Sequence, residues 1–190
     1  RVVVTQITDK GVVNKAASFV TGNTIKVGIR KWLASEHSPI RDWIFKIELF
    51  GIPSFVATHL KTHNRDVVNQ VTESHRADYA KKYNKDVSED RNALVNHTMT
   101  LNAQALITIT KARICTSASV ETQKVWREVR KQVAEIAPEM AEFMVVECVY
   151  RNGLCPHFHN KCTYNRTSVF KKELREYVKH FKYDNGIHTD

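Results

Sequence analysis

Glycine and proline are scarce in this 190-residue chain, six and four residues, and no Ser/Gly-rich or Pro-rich stretch marks a flexible linker. One folded unit, residues 1–190, is therefore expected, long enough to bury one substantial core. Internal repeats are absent. The longest apolar runs, such as Phe143 to Val146, span only a few residues, against the roughly 20 needed to cross a bilayer. No membrane span is expected. Val2 to Val4 is too short for the apolar region of a secretory signal, so a cytoplasmic location is the expectation. Acidic side chains are the minority: 20 against 29 basic ones leave a net charge of +9, which favours polyanionic partners such as nucleotides, flavin pyrophosphate, folate tails or nucleic acid. Much of the excess lies in Lys171, Lys172, Arg175, Lys179 and Lys182, and a solvated helix face accounts for that run equally well.

The β-branched run Val2 to Ile7 and the alternating stretch Trp43 to Phe50 read as strands sharing a sheet. Between them, Asp9 to Val20 and Thr24 to Ala34 have helical spacing, the first closed by Gly22-Asn23. Pro53 suits the first turn of a helix running to about His63. Asn64 to Tyr83 is polar and non-periodic and reads as a functional loop. Further helices are expected over Glu89 to about Ile114, Val120 to Ile136, Glu139 to Val149 and Ser168 to Phe181, interrupted only between Tyr150 and Tyr164. Early strands followed by long helices imply an α+β or mixed α/β layering.

Within the expected helix over Glu89 to Ile114, residues Asn102, Leu106, Ile109 and Arg113 fall on nearly one face. That spacing separates the amide from the guanidinium by about 16 Å, the scale of a dinucleotide plus substrate. A plain structural use of the two would pair Arg113 with a carboxylate at a helix end and have Asn102 cap a neighbouring loop. A second cluster runs from Thr58 through His59, Thr62, His63, Asn64 and Arg65 to Asn69-Gln70 and Ser74-His75-Arg76. His59 and His63 have the i, i+4 spacing of helical metal ligands, but no Asp or Glu stands at a comparable spacing in the cluster. Recognition of phosphate and base edges uses the same donors. So does simple surface solvation.

The order Glu36-His37-Ser38-Pro39, a strand, Gly51-Ile52, the His63 helix, Ser74-x-Arg76 and Asn102-Ala103-x-Ala105-Leu106 leading to Arg113 resembles flavin-dependent thymidylate synthases over roughly residues 36–150. The resemblance implies a small antiparallel sheet packed with long helices. It implies flavin contacts from Ser38, His63, Asn64, Asn69, Gln70, Asn102, Gln104 and Thr108, and substrate contacts from His59, Ser74, Arg76 and Arg113, with Arg113 and Ser74 as the catalytic pair. It further implies FAD, with NADPH and methylenetetrahydrofolate as co-substrates, dUMP or a related pyrimidine nucleotide as substrate, and a homotetramer with shared sites. The chain departs from the family pattern: Thr62 and Asn64 stand where the family has the two arginines of an Arg-His-Arg element, Gln70 where it has an acid and Gln104 where it has an arginine. The loop after Gln70 is longer than usual, so Thr72 rivals Ser74 for its position.

Cys148-x6-Cys155-x6-Cys162, with Cys115 earlier and His157 and His159 between, lies outside that pattern. Four cysteines in a cytosolic chain suggest metal, zinc above all, through Cys115, Cys148, Cys155 and Cys162. The spacing lacks a close Cys-x2-Cys knuckle. Free thiols, an iron-sulfur cluster or a disulfide stay open beside it.

The activity expected is FAD-dependent methylation of dUMP to dTMP. The altered Arg-His-Arg element keeps two rivals in play: a pyrimidine nucleotide hydroxymethylase on the same frame, or a basic, metal-stapled nucleic-acid-binding module without catalysis.

Overall fold

The computed structural model describes residues 1–63, 67–74, 81–83, 90–157 and 162–181. Four strands, β1 (Val2–Gln6), β2 (Ile44–Pro53), β3 (Val67–Thr72) and β4 (Leu94–Asn102), form an antiparallel sheet in the order β1-β2-β4-β3. Burial alternates along them as a half-covered sheet requires. Phe45, Ile47 and Leu49 of β2 and Val95, His97, Met99 and Leu101 of β4 point into the core, while their neighbours face outward. The β2–β4 register shifts between Leu49 and Ile52. Gly51 sits in that shift with φ +61°, a conformation open to glycine at no steric cost, and its amide donates to Asn96 Oδ1 at 3.1 Å.

The inner face is covered by helices. These are α1 (Gly11–Thr21), α2 (Ile29–Ser35), α3 (Ser54–Lys61), α4 (Ala103–Arg113), α5 (Val120–Ile136), the short α6 (Pro138–Ala141) and α7 (Glu147–Tyr150), and α8 (Ser168–Val178). A 3-10 turn over Ser38–Asp42 leads into β2. Helix α4 lies at the centre, packed on β4, α5, α7 and that turn. Its residues 103–107, 109 and 110 are all buried, so it shows no amphipathic stripe. The buried Trp126 indole of α5 donates to Thr110 Oγ1 of α4 at 2.8 Å, giving the apolar contact one fixed polar register. No described helix is long and apolar enough to cross a membrane.

The expected α+β architecture with a small antiparallel sheet is what the chain adopts, and several elements differ in detail. The helix expected over Glu89 to Ile114 is instead strand β4 followed by α4; the period-2 run Val95-x-His97-x-Met99-x-Leu101 carries the strand and Asn102 starts the helix. Part of the expected loop over Asn64 to Tyr83 is the strand β3, because its backbone completes the ladder of β4. Residues 24–28 are not helical; Asn14 holds that connection by bonding both Val27 N and Val27 O. The helix expected over Glu139 to Val149 breaks around residues 142–146, where Phe143 to Val146 are all buried and no single face exists for a helix to present.

Candidate functional site

Two polar groups occupy opposite ends of the buried helix α4. At its N-terminus, Asn102 is 6% exposed and its Oδ1 accepts the Ala105 amide at 2.9 Å. Asn102 is therefore the helix N-cap, which contributes about 1 kcal/mol, and it stands at the strand-helix junction rather than on a face shared with Arg113. Two residues further on, Gln104 donates through Nε2 to Glu36 Oε2. Glu36 closes α2 in a left-handed conformation, φ 48°. Burial, and then the hydrogen bond and charge of Glu36, push the Tyr150 phenol up to about 12, and Lys111 Nζ lies 3.7 Å from the centroid of the Tyr150 ring. Ser38 is exposed two residues beyond Glu36, and Thr108 is partly exposed one turn beyond Gln104. This end gathers Ser38, Asn102 and Gln104 from the expected cofactor set, and Thr108 lies midway along the helix.

The other end of α4 meets the C-terminus of α3. Arg113 donates through Nη2 to the His59 carbonyl and to Thr62 Oγ1, both at 2.8 Å, and among the described residues it meets no carboxylate. Burial disfavours its charge and lowers its pKa, although a guanidinium stays protonated at any ordinary pH. His63 is pushed down to about 4, first by burial and then by the positive Arg113, so the imidazole is neutral at pH 7. Gln70, on β3, reaches the same corner through Nε2 to the Lys61 carbonyl at 3.4 Å.

Three atoms here are buried without a hydrogen-bond partner among the described residues: Arg113 Nε, His63 Nε2 and Gln70 Oε1. A buried unpaired polar atom costs about 1–3 kcal/mol. Three of them near one helix end leave hydrogen-bonding capacity that a polar ligand or ordered water would fill. His59 completes the corner, its Nδ1 at 3.2 Å from Thr122 Oγ1. Burial, Arg113 and Arg91 lower its pKa. Among the described residues no carboxylate pairs with Arg113, and Thr62 accepts a bond from it instead.

The structure thus brings together His59, His63, Gln70 and Arg113 at one end of α4 and puts Asn102 and Gln104 at the other, about 16 Å along the axis for eleven residues, with Thr108 midway between them and Ser38 on the turn packed against the helix. Asn69 is exposed at the register shift of β3, and Ser74 is partly exposed just past that strand. Asn64 and Arg76 lie outside the described residues. His97 escaped the sequence reading because it fell in the wrongly assigned helix. It is 2% exposed, its Nδ1 is 2.7 Å from Thr72 Oγ1, and its Nε2 has no partner. Burial and then Lys61 push it down to about 4. The alternation of β4 was the signal that could have found it.

All four cysteines are free and, with His157, line one cavity between the α4–α5 connection and α8. Burial and the thiols of Cys115 and Cys155 push Cys148 up to about 11. Among the described residues no three His, Cys, Asp or Glu side chains are disposed to hold a metal ion. The expected four-cysteine centre is not preformed, because Cys155 faces solvent. His59 and His63 do not form a metal pair either, each being engaged or enclosed separately at the end of α3.

No family model and no curated protein matches this sequence. Solved structures do match in fold. Thymidylate synthase X from Helicobacter pylori, solved with FAD and dUMP, superposes with a TM-score of 0.59 at 11% identity, over 76% of this chain and 99% of that one. A second structure of the H. pylori flavin-dependent enzyme, also with FAD and dUMP, gives 0.57 at 10% identity, over 76% and 99%. The UMP/dUMP methylase PolB from Streptomyces cacaoi, bound to 5-bromo-dUMP, gives 0.55 at 15% identity, over 75% and 94%. The small antiparallel sheet with α4 buried against it is therefore the fold shared by flavin-dependent thymidylate synthases and a related pyrimidine nucleotide methylase.

Proposed function

We propose that the chain is an FAD-dependent methyltransferase acting at carbon 5 of dUMP, with methylenetetrahydrofolate as one-carbon donor and NADPH as reductant. The observation that carries this reading is the convergence of Arg113, His63 and Gln70, each with a buried polar atom unpaired among the described residues, in a fold shared with an enzyme solved with FAD and dUMP. Arg113 offers a fixed positive charge to a pyrimidine carbonyl and stabilises the negative charge that develops there when carbon 5 becomes nucleophilic. The neutral His63 ring provides a donor or acceptor without adding charge. His59, Ser74 and Arg76 complete the substrate side.

The orphaned atoms of His63 and Gln70 would meet a flavin's carbonyl and ring-nitrogen edge, and Ser38, Asn69, Asn102, Gln104 and Thr108 would hold the rest of the cofactor along α4. Bound flavin supplies the redox step, and the protein supplies orientation and charge. The exposure of Ser38 and Asn69 suits a site completed by other subunits, so a homotetramer is part of the proposal. Two missing arginines weaken the cofactor site. Each lost charge-assisted bond is worth about 1.5–3 kcal/mol.

The PolB likeness supports one second reading, in which UMP is accepted as well as dUMP. Titration of the apoprotein should quench FAD fluorescence with micromolar affinity or better, and no quenching across that range would rule out the cofactor assignment. Incubation with dUMP or UMP, methylenetetrahydrofolate and NADPH, followed by mass spectrometry, distinguishes a methyl from a hydroxymethyl product. A protein that quenches flavin but turns over neither nucleotide would refute the methyltransferase reading.

A further inference from the structure

We infer that the thiol-lined cavity is a binding site for one thiophilic divalent cation, zinc by its chemistry, with Cys115, Cys148, Cys155 and Cys162 as ligands. These are all the cysteines of the chain. They come from the α4–α5 connection, from α7 and from the segment leading to α8, yet they line one cavity. Its volume of about 30 Å³ holds a single ion or a water or two and excludes a nucleotide or a flavin.

The surroundings treat the sulfurs as acceptors. Thr116 Oγ1 donates to Cys162 Sγ at 3.1 Å, the Tyr164 amide to the same sulfur at 3.4 Å, and Ser117 Oγ to Cys115 Sγ at 3.2 Å. Donors of this kind orient metal-bound thiolates and spread their charge. Arg127 also lines the cavity and offsets part of the double negative charge that a zinc with four thiolates carries.

Cys115 and Cys148 are buried and form the floor, whereas Cys155 is exposed and Cys162 is partly exposed at the mouth. Among the described residues no three of these sulfurs are disposed around one point as they stand, so capture moves the side chains at the mouth, Cys155 and Cys162, toward the buried Cys115 and Cys148. Zinc replaces four S–H protons, which leave to solvent, and no electron is transferred. The ion then staples the segment before α8 to the end of α4.

The test uses untagged full-length protein produced with zinc and purified without chelator. Elemental analysis should find about one zinc per chain, as expected for tight structural sites. Cobalt exchange should produce thiolate-to-cobalt charge-transfer absorption, and the four thiols should react slowly with a disulfide reagent until a chelator is added. Cys155→Ser, at an exposed position that the fold does not need, should remove most of the metal and leave the far-UV circular dichroism unchanged. Less than about 0.2 metal equivalents together with equal thiol reactivity with and without chelator overturns the site. A full equivalent retained by Cys155→Ser overturns the ligand set. FAD binding is not a readout here, so failure of this site leaves the proposed activity untouched.

Discussion

Replacing Arg113 by alanine removes two hydrogen bonds that tie the end of α4 to the end of α3, one to the His59 carbonyl and one to Thr62 Oγ1. Bonds from a charged donor are worth about 1.5–3 kcal/mol each when their partner is lost. Partial solvent access and relaxation of Thr62 reduce the sum, so a stability loss of about 2–4 kcal/mol is expected. That is a drop of about 4–16 °C in Tm for a chain of this size, and the variant stays folded. The loss in dUMP affinity is a separate effect, about 2–4 kcal/mol for removing one partner of a desolvated charged bond, or roughly 30- to 900-fold in Kd.

Two controls separate the tie from the site. Thr62→Val removes one of the two partners and costs about 1 kcal/mol of stability while keeping the guanidinium, so dUMP affinity should hardly change. Arg113→Lys keeps the charge but not the planar fork and should recover little binding. Calorimetric titration with dUMP and with FAD, beside thermal melts, reads all three variants. An Arg113→Ala protein that is folded and binds dUMP as tightly as the parent would remove Arg113 from the site and the main support for the substrate with it.

Asn102→Ala removes the cap of α4 and should cost about 1 kcal/mol in a denaturant titration; a Cm that does not move would mean the cap is redundant. Gln104→Leu strips one partner from the half-enclosed Glu36 and should destabilise by about 1–3 kcal/mol, whereas a more stable variant would show that the Gln104 contact is not stabilising. Stability should fall as pH drops from about 6.5 to 4. His63 and His97 have folded-state pKa values of about 4 against 6.5 when unfolded, so in that window the unfolded chain binds protons that the folded one refuses. Each ring contributes up to about 1.4 kcal/mol per pH unit, a ceiling that residual solvent contact lowers. Denaturant titrations of His97→Gln across the window should show a shallower slope, and an unchanged slope would mean that His97 does not resist protonation in the folded state.

Local patterns were legible wherever a residue type admits one backbone solution. Gly22, at φ 67°, closes α1 where a left-handed cap was expected, and the amphipathic run from Val120 to Ile136 is α5 to the residue. β1 and β2 pair as their alternation implied. Legibility failed where burial is total or where the partner is distant. Leu94 to Arg113 reads as one helix because α4, buried at 103–107, 109 and 110, has no amphipathic stripe to mark its start; only the ladder from Leu94 to Asn102 with β2 and β3 fixes the strand that precedes it.

The same division holds for the site. Residue identities alone nominated Arg113, His59, His63 and Gln70, and with them Asn102 and the four cysteines. That Arg113 turns onto the end of α3, that Asn102 is spent as a cap, that His97 sits buried on Thr72, and that thiols from positions 115, 148, 155 and 162 face one cavity were decided by tertiary structure. Sequence spacing sets which side chains share an element. Contacts between residues more than 25 positions apart depend on how sheet and helices pack, and that is a property of the whole core rather than of any segment.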